Sequence, residues 1–191
     1  MRIGLFGGSF NPIHEGHRLV AEQCLKRLAL DAVWLLVSPG NPLKDHTELA
    51  PLASRVEAAR GLTANPRIHV TAFEAAHDFH FTVDTLEWLS RTCAGTRFVW
   101  IMGADNLSQF DRWERWETIA RLMPMAVYAR PGSTFRATVS RAATALKHYR
   151  LPEDDAETLA SRDAPAWVYL HGVTSKQSSS AIRAGREAPA N

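Results

Sequence analysis

The chain has 191 residues, of which 46% are hydrophobic and 22% charged. That composition supports one ordinary folded core and argues against disorder along its length. Its 22 basic and 20 acidic side chains leave a formal net charge of +2, too little for a surface that tracks a nucleic-acid backbone. The two cysteines, Cys24 and Cys93, have no CxxC spacing, so neither a disulfide scaffold nor a thiolate metal centre is expected. No apolar run approaches the roughly 20 residues that span a bilayer. No signal-peptide pattern precedes the first strand-like run. The expected compartment is the cytoplasm, with neither nucleic acid nor membrane as a partner.

Short apolar runs alternate with longer helical patterns. The predicted strands are Ile3–Phe6, Ala32–Val37, Ile68–Phe73, Phe98–Met102, Ala126–Ala129 and Trp167–Leu170. Most are continuously apolar, as strands covered on both faces are. A first helix is predicted from about Glu15 to Leu30, where Ala21, Cys24, Leu25 and Leu28 form one stripe. Further helices are predicted over Leu52–Thr63, Thr82–Arg91, Trp116–Leu122, Phe135–His148 and Ser178–Ala184. Leu151–Pro165, acidic and with two prolines, reads as a surface loop or poorly packed connection. The alternation implies right-handed crossovers and a doubly wound α/β fold with a parallel sheet. One domain is expected over residues 1–184, with 185–191 as a frayed tail.

The most informative stretch is Gly7-Gly8-Ser9-Phe10-Asn11-Pro12-Ile13-His14-Glu15-Gly16-His17. It joins the first strand to the first helix, at the sheet edge where open α/β folds bind ligands. Gly7 and Gly8 permit close approach of a ligand to the backbone. Amides at the start of the helix favour phosphate. His14 and His17, three residues apart, point roughly the same way on the first helical turn. Neither a GxGxxG, a P-loop nor a GxSxG motif is present. HxxH spacing with no third ligand nearby does not make a zinc site. On residues alone, the pair is either an anion site or a helix start with partly buried polar groups.

A second pole lies at Ser178-Ser179-Ser180-Ala181-Ile182-Arg183. Three hydroxyl residues ahead of a helical pattern supply an N-cap and further donors, and Arg183 follows one turn on. Between the poles, Ser38-Pro39-Gly40-Asn41-Pro42-Leu43-Lys44 makes a shaped loop, and Lys44 is one of only four lysines. A carboxylate at Asp105, after the fourth strand, is well placed to accept ribose hydroxyls. His77 and His80 read as solvated loop residues, and Trp116 as packing.

His14-Glu15-Gly16-His17 resembles the HxGH signature of the nucleotidyltransferase superfamily. The longer string resembles the bacterial nicotinate-nucleotide adenylyltransferases. That resemblance implies a Rossmann-like, single-domain nucleotidyltransferase fold that transfers AMP from ATP to nicotinate mononucleotide. It places both histidines on the ATP phosphates, with Gly7, Gly8, Ser9, Phe10 and Asp105 as further nucleotide contacts. Ser178, Ser179, Ser180 and Arg183 resemble the family's ISSTxIR-like phosphate clamp, with Gln177 replacing an apolar residue and Ser180 a threonine. Lys44 and Arg130 (in Arg130-Pro131-Gly132) match the family's basic phosphate contacts. Asn11, Thr82 and Trp113 fall to the acceptor, with Thr82 at the carboxylate and Trp113 on the pyridine ring. The catalytic set is therefore His14, His17, Lys44 and Arg183. Mg²⁺ is carried by ATP, since no carboxylate cluster offers a metal site. The rival readings are a nicotinamide-mononucleotide or phosphopantetheine adenylyltransferase, and a non-catalytic ATP-binding module. The chain is expected to be a monomer or homodimer. Only eight residues follow Arg183, fewer than the family usually carries there.

Overall fold

The computed structural model describes residues 1–40, 49–129, 137–173, 175 and 177–185. Among these, the strands are β1 (Arg2–Gly8), β2 (Ala32–Val37), β3 (Ile68–Thr71), β4 (Arg97–Gly103), β5 (Met125–Tyr128), β6 (Arg150–Leu151) and β7 (Trp167–Leu170). They form one sheet in the order β3-β2-β1-β4-β5-β7-β6, and every neighbouring pair is parallel. The helices are α1 (Glu15–Arg27), α2 (Leu52–Leu62), α3 (Phe73–Ala76), α4 (Thr82–Thr92), α5 (Ala104–Leu107), α6 (Trp116–Leu122), α7 (Arg141–Ala145) and α8 (Ser179–Arg183). This is the doubly wound arrangement that the alternating pattern predicts, and the Rossmann-like fold that the resemblance implies.

The continuous apolar runs are explained by burial on both faces. Leu35 and Leu36 are both fully buried, yet they belong to different cores because successive side chains point to opposite sides. One core receives Val20, Ala21, Cys24 and Leu25 of α1 with Val56 and Ala59 of α2. The other receives Val83, Leu86 and Leu89 of α4 with Ile119 and Ala120 of α6. Each fully buried aliphatic side chain contributes about 1.5–3 kcal/mol. β1 sits centrally, pairing with β2 on one side and β4 on the other. The chain goes to opposite sides of it, so the crevice beyond its carboxyl end is where a ligand fits.

Several predicted boundaries need correction. The strand expected over Ile68–Phe73 ends at Thr71. Phe73 instead starts α3 and packs edge-on against Trp88, ring centres 5.2 Å apart. The first helix stops at Arg27, because Ala29 adopts a left-handed φ of 47° that turns the chain toward β2. The helix predicted over residues 135–148 is shorter: α7 is followed by a 3-10 turn at Lys147–Tyr149, and residues 135 and 136 lie outside the described ones. Leu151–Pro165 is not a poorly packed loop. β6 pairs with β7, and a 3-10 helix over Glu153–Ser161 buries Ala156, Leu159 and Ala160. No helix among the described residues is long and apolar enough to cross a membrane.

Candidate active site

Gly7, near the end of β1, makes room for the Trp100 ring of β4, and Gly8 for the Phe10 ring. A β-carbon at Gly7 would collide with the Trp100 ring. The chain then turns through Phe10, whose φ of 45° is left-handed and whose side chain is buried. The Phe10 ring stands edge-on to Phe6 and His17, at 5.6 and 5.0 Å. Phe10 therefore anchors the turn through its side chain.

His14 is the N-cap of α1, in extended conformation. Its Nδ1 accepts the Gly16 N–H at 3.1 Å, and the Nδ1 of His17 accepts the His14 N–H at 3.2 Å. The two imidazoles thus perform the reciprocal cap usually made by Ser or Thr with Glu or Gln. Their ring centres lie 3.9 Å apart. With both Nδ1 atoms accepting, the neutral rings carry their protons on Nε2, which makes each Nε2 a donor. His14 is fully buried and His17 half-buried. Gly16 is required by this packing, since a β-carbon there would stand 2.9 Å from Cε1 and 3.0 Å from Nδ1 of His14.

The second pole docks onto this turn from the far end of the chain. Ser179 Oγ donates to the Pro12 carbonyl at 2.9 Å, and Arg183 Nη1 to the Asn11 carbonyl at 2.5 Å. Ser178 caps α8 by accepting the Ala181 N–H at 3.1 Å, and Ser180 is exposed. Gln177 accepts the Glu15 N–H at 3.2 Å and so covers one of the amides at the start of α1.

Arg55 on α2 is a residue that sequence reasoning missed. It is 3% exposed. Nη1 donates to the carbonyls of Ser9 and Ser38, both at 2.7 Å, and Nε to Ala50 at 2.8 Å. Burial lowers its pKa, yet a guanidinium stays charged in proteins. Asn11, expected at the acceptor, helps hold the same region: its Oδ1 accepts the Ala50 N–H at 3.2 Å.

Gly7, Gly8 and Ser9 wall a cavity of about 220 Å³, with Thr82, Trp113 and Asn106 among the residues opposite. Thr82 opens α4. Trp113 is half-buried and edge-on to Trp100 and Phe110, at 6.2 and 5.4 Å. Trp116 packs on Phe110 at 5.8 Å. Asp105 is exposed beside the cavity-lining Asn106. His80 is exposed, as expected of a solvated loop residue, and also lines the cavity. His77 lies 4.2 Å from Phe73 and 5.5 Å from Phe79, centre to centre. Glu74 was not singled out by the sequence. Burial pushes its carboxyl up to about 7, against a hydrogen bond from Thr85 that pulls it down. Lys44 and Arg130 lie outside the described residues. Among the described residues no group of three His, Cys, Asp or Glu could hold a metal ion.

Residues 5–185 match the cytidylyltransferase-like family. A Methylorubrum extorquens chain named "Probable nicotinate-nucleotide adenylyltransferase" is 56% identical over 183 residues, covering 96% of this chain and 99% of that one. A Bradyrhizobium sp. chain of the same name is 55% identical, covering 96% and 95%. The solved Plasmodium falciparum nicotinic acid mononucleotide adenylyltransferase complexed with NaAD superposes with a TM-score of 0.71 at 16% identity, covering 96% of this chain and 82% of that one. That likeness concerns the fold alone. With its match running nearly end to end, the chain belongs to the cytidylyltransferase-like family.

Proposed function

We infer that this chain is a nicotinate-nucleotide adenylyltransferase, which transfers AMP from MgATP to nicotinate mononucleotide and releases pyrophosphate. Relatives of that name are more than half identical over 183 residues. The observation that carries the chemistry is the reciprocal cap of His14 and His17, which leaves both Nε2 atoms as donors. It sits on the turn whose first residues wall the cavity.

The acceptor's phosphate oxygen attacks the α-phosphorus of ATP. A new P–O bond forms there, and the bond to the bridging oxygen of the β-phosphate breaks. The electron pair leaves with pyrophosphate. The acceptor phosphate is already ionised at neutral pH, so no general base is needed. The chain's task is in-line positioning and neutralisation of charge. His14 and His17 donate to the α- and β-phosphates, and Lys44, the serines 178–180 and Arg183 hold the β/γ end. The Gly7–Phe10 backbone lines the triphosphate, and Asp105 takes the ribose. Thr82, Trp113, Asn11 and Arg130 serve the acceptor. Mg²⁺ enters as part of its substrate, MgATP. The working compartment is the cytoplasm, and the partners are these nucleotides.

The test is pyrophosphate release from MgATP with nicotinate mononucleotide, nicotinamide mononucleotide or phosphopantetheine. Strong preference for the first is expected. Preference for either other acceptor reassigns the cavity, and ATP binding without release favours a non-catalytic module.

A further inference from the structure

Glu74 is one of the few charged side chains buried in the fold, at 7% exposure. It also lines the cavity with Thr82 and Trp113. Its Oε1 accepts from the Thr85 hydroxyl at 3.3 Å, and Thr85 is itself fully buried. A carboxylate in such a place is normally paired with a cation. Here burial and the Thr85 hydroxyl are what set its ionisation, and no charged partner among the described residues contributes. A carboxyl group free to change charge therefore forms part of the acceptor wall.

We propose that Glu74 is a specificity-determining residue: as a neutral acid it lets the nicotinate carboxylate enter the cavity, and as an anion it turns the cavity against that carboxylate. This rests on the adenylyltransferase reading above and deepens it. Nicotinate and nicotinamide mononucleotides share the pyridinium, ribose and phosphate. They differ in one group, a carboxylate against an amide. Ionised Glu74 opposes only the first. With its pKa raised to about 7, the neutral form prevails below that pH. Discrimination for the acid is full there and declines as pH rises. If the bound carboxylate raises the Glu74 pKa by about one unit, linkage removes about tenfold from its relative affinity above both values.

The other ionisable groups nearby are identifiable. His80, Arg112 and Glu114 line the same cavity. His77 ends Glu74's own helix and stacks on Phe73 and Phe79. On α4, Thr85 faces Glu74, while Asp84 and Glu87 lie about 100° and 200° around that helix, and Glu87 is paired with Arg115. β2, packed beneath, carries no ionisable side chain. Of these, His80 is the imidazole that lines the cavity beside Glu74, so His80→Gln is the control for Glu74→Gln.

The experiment measures kcat/KM for both acceptors from pH 6 to 9 and takes their ratio, which cancels effects common to ATP and the shared parts. In the native chain the nicotinate-to-nicotinamide ratio should fall about tenfold. In Glu74→Gln, a neutral side chain of the same shape that can still accept from Thr85, the ratio should stay flat. In His80→Gln the fall should persist. A flat native ratio, a fall that survives in Glu74→Gln, or one that vanishes in His80→Gln overturns the proposal. If Glu74→Gln does not fold, the native and His80→Gln profiles decide it. Turnover of neither pyridine acceptor would remove the adenylyltransferase reading, and this inference with it.

Discussion

His14 and His17 cap each other across the first turn of α1: each Nδ1 accepts a backbone N–H, from Gly16 and His14 respectively, at 3.1 and 3.2 Å. The same two bonds that start the helix fix the tautomer of both rings. The start of the helix and the placing of the donors are one arrangement, so a substitution can be good for the helix and bad for the site.

Gly16→Ala separates the two. Alanine is favoured over glycine in a helix by about 1 kcal/mol. Its β-carbon would nevertheless press on the His14 ring, which is buried and has little room to yield. Displacement of a reacting group by about 1 Å costs around 10²-fold in rate. Turnover should fall roughly 10–100-fold with little loss of stability. Gly61→Ala on α2 is the control, because a β-carbon there meets nothing within 4 Å. It should gain about 0.5–1 kcal/mol in urea unfolding, with normal turnover.

Arg55 joins the Ser9 turn to the ends of β2 and the start of α2 through backbone carbonyls. Arg55→Met leaves those acceptors buried without donors and should cost about 2–5 kcal/mol of stability. Arg55→Lys keeps the charge but loses the planar fork, so it should fall between the two. Urea midpoints give the order, and KM for ATP should rise in step, because the carbonyl of Ser9 is one of those held.

Glu153 predicts a feature of acid stability. Burial opposes its ionisation, but hydrogen bonds from the His171 side chain, Arg27 and the His171 backbone outweigh this and hold its pKa at about 2. Arg27 Nη2 and His171 Nδ1 both lie 2.6 Å from the carboxylate. A carboxyl group whose pKa is lowered on folding contributes stability above its unfolded value near 4.5, and that contribution is lost as pH falls toward 2. Urea midpoints between pH 5 and 2 should therefore drop more steeply for the native chain than for Glu153→Gln. Parallel slopes would contradict this.

What could be read from the sequence divides along physical lines. Continuous apolar runs such as Ala32–Val37 announced the central strands, because burial on both faces leaves nothing polar to confuse the pattern. The HxGH turn was legible because its chemistry is local: the cap, the glycine and both rings lie within four residues. The 3-10 helix over Glu153–Ser161 was hidden by its acidic residues, although Ala156, Leu159 and Ala160 carry a helical spacing that could have revealed it. Arg55 and Glu74 gave no signal, for their roles come from residues distant in the chain. The acceptors of Arg55 include Ser9 and Ser38, and Glu74 acquires its environment when α3 turns out of the sheet edge toward α4. The contact of Arg183 with Asn11 spans the whole fold, and only the motif resemblance suggested that the two ends meet.

The most direct measurement is single-turnover AMP transfer to nicotinate mononucleotide in His17→Ala and His17→Gln, with ATP affinity measured separately. His17→Ala should lose about 10²–10³-fold in rate, the usual cost of one preorganised charge-stabilising donor, while ATP affinity changes only a few-fold. Glutamine at this position of a helix can still make the reciprocal cap, so His17→Gln should recover stability without recovering the rate. Near-native transfer in His17→Ala would contradict the account, because the paired imidazoles would then cap the helix and do nothing for the reaction.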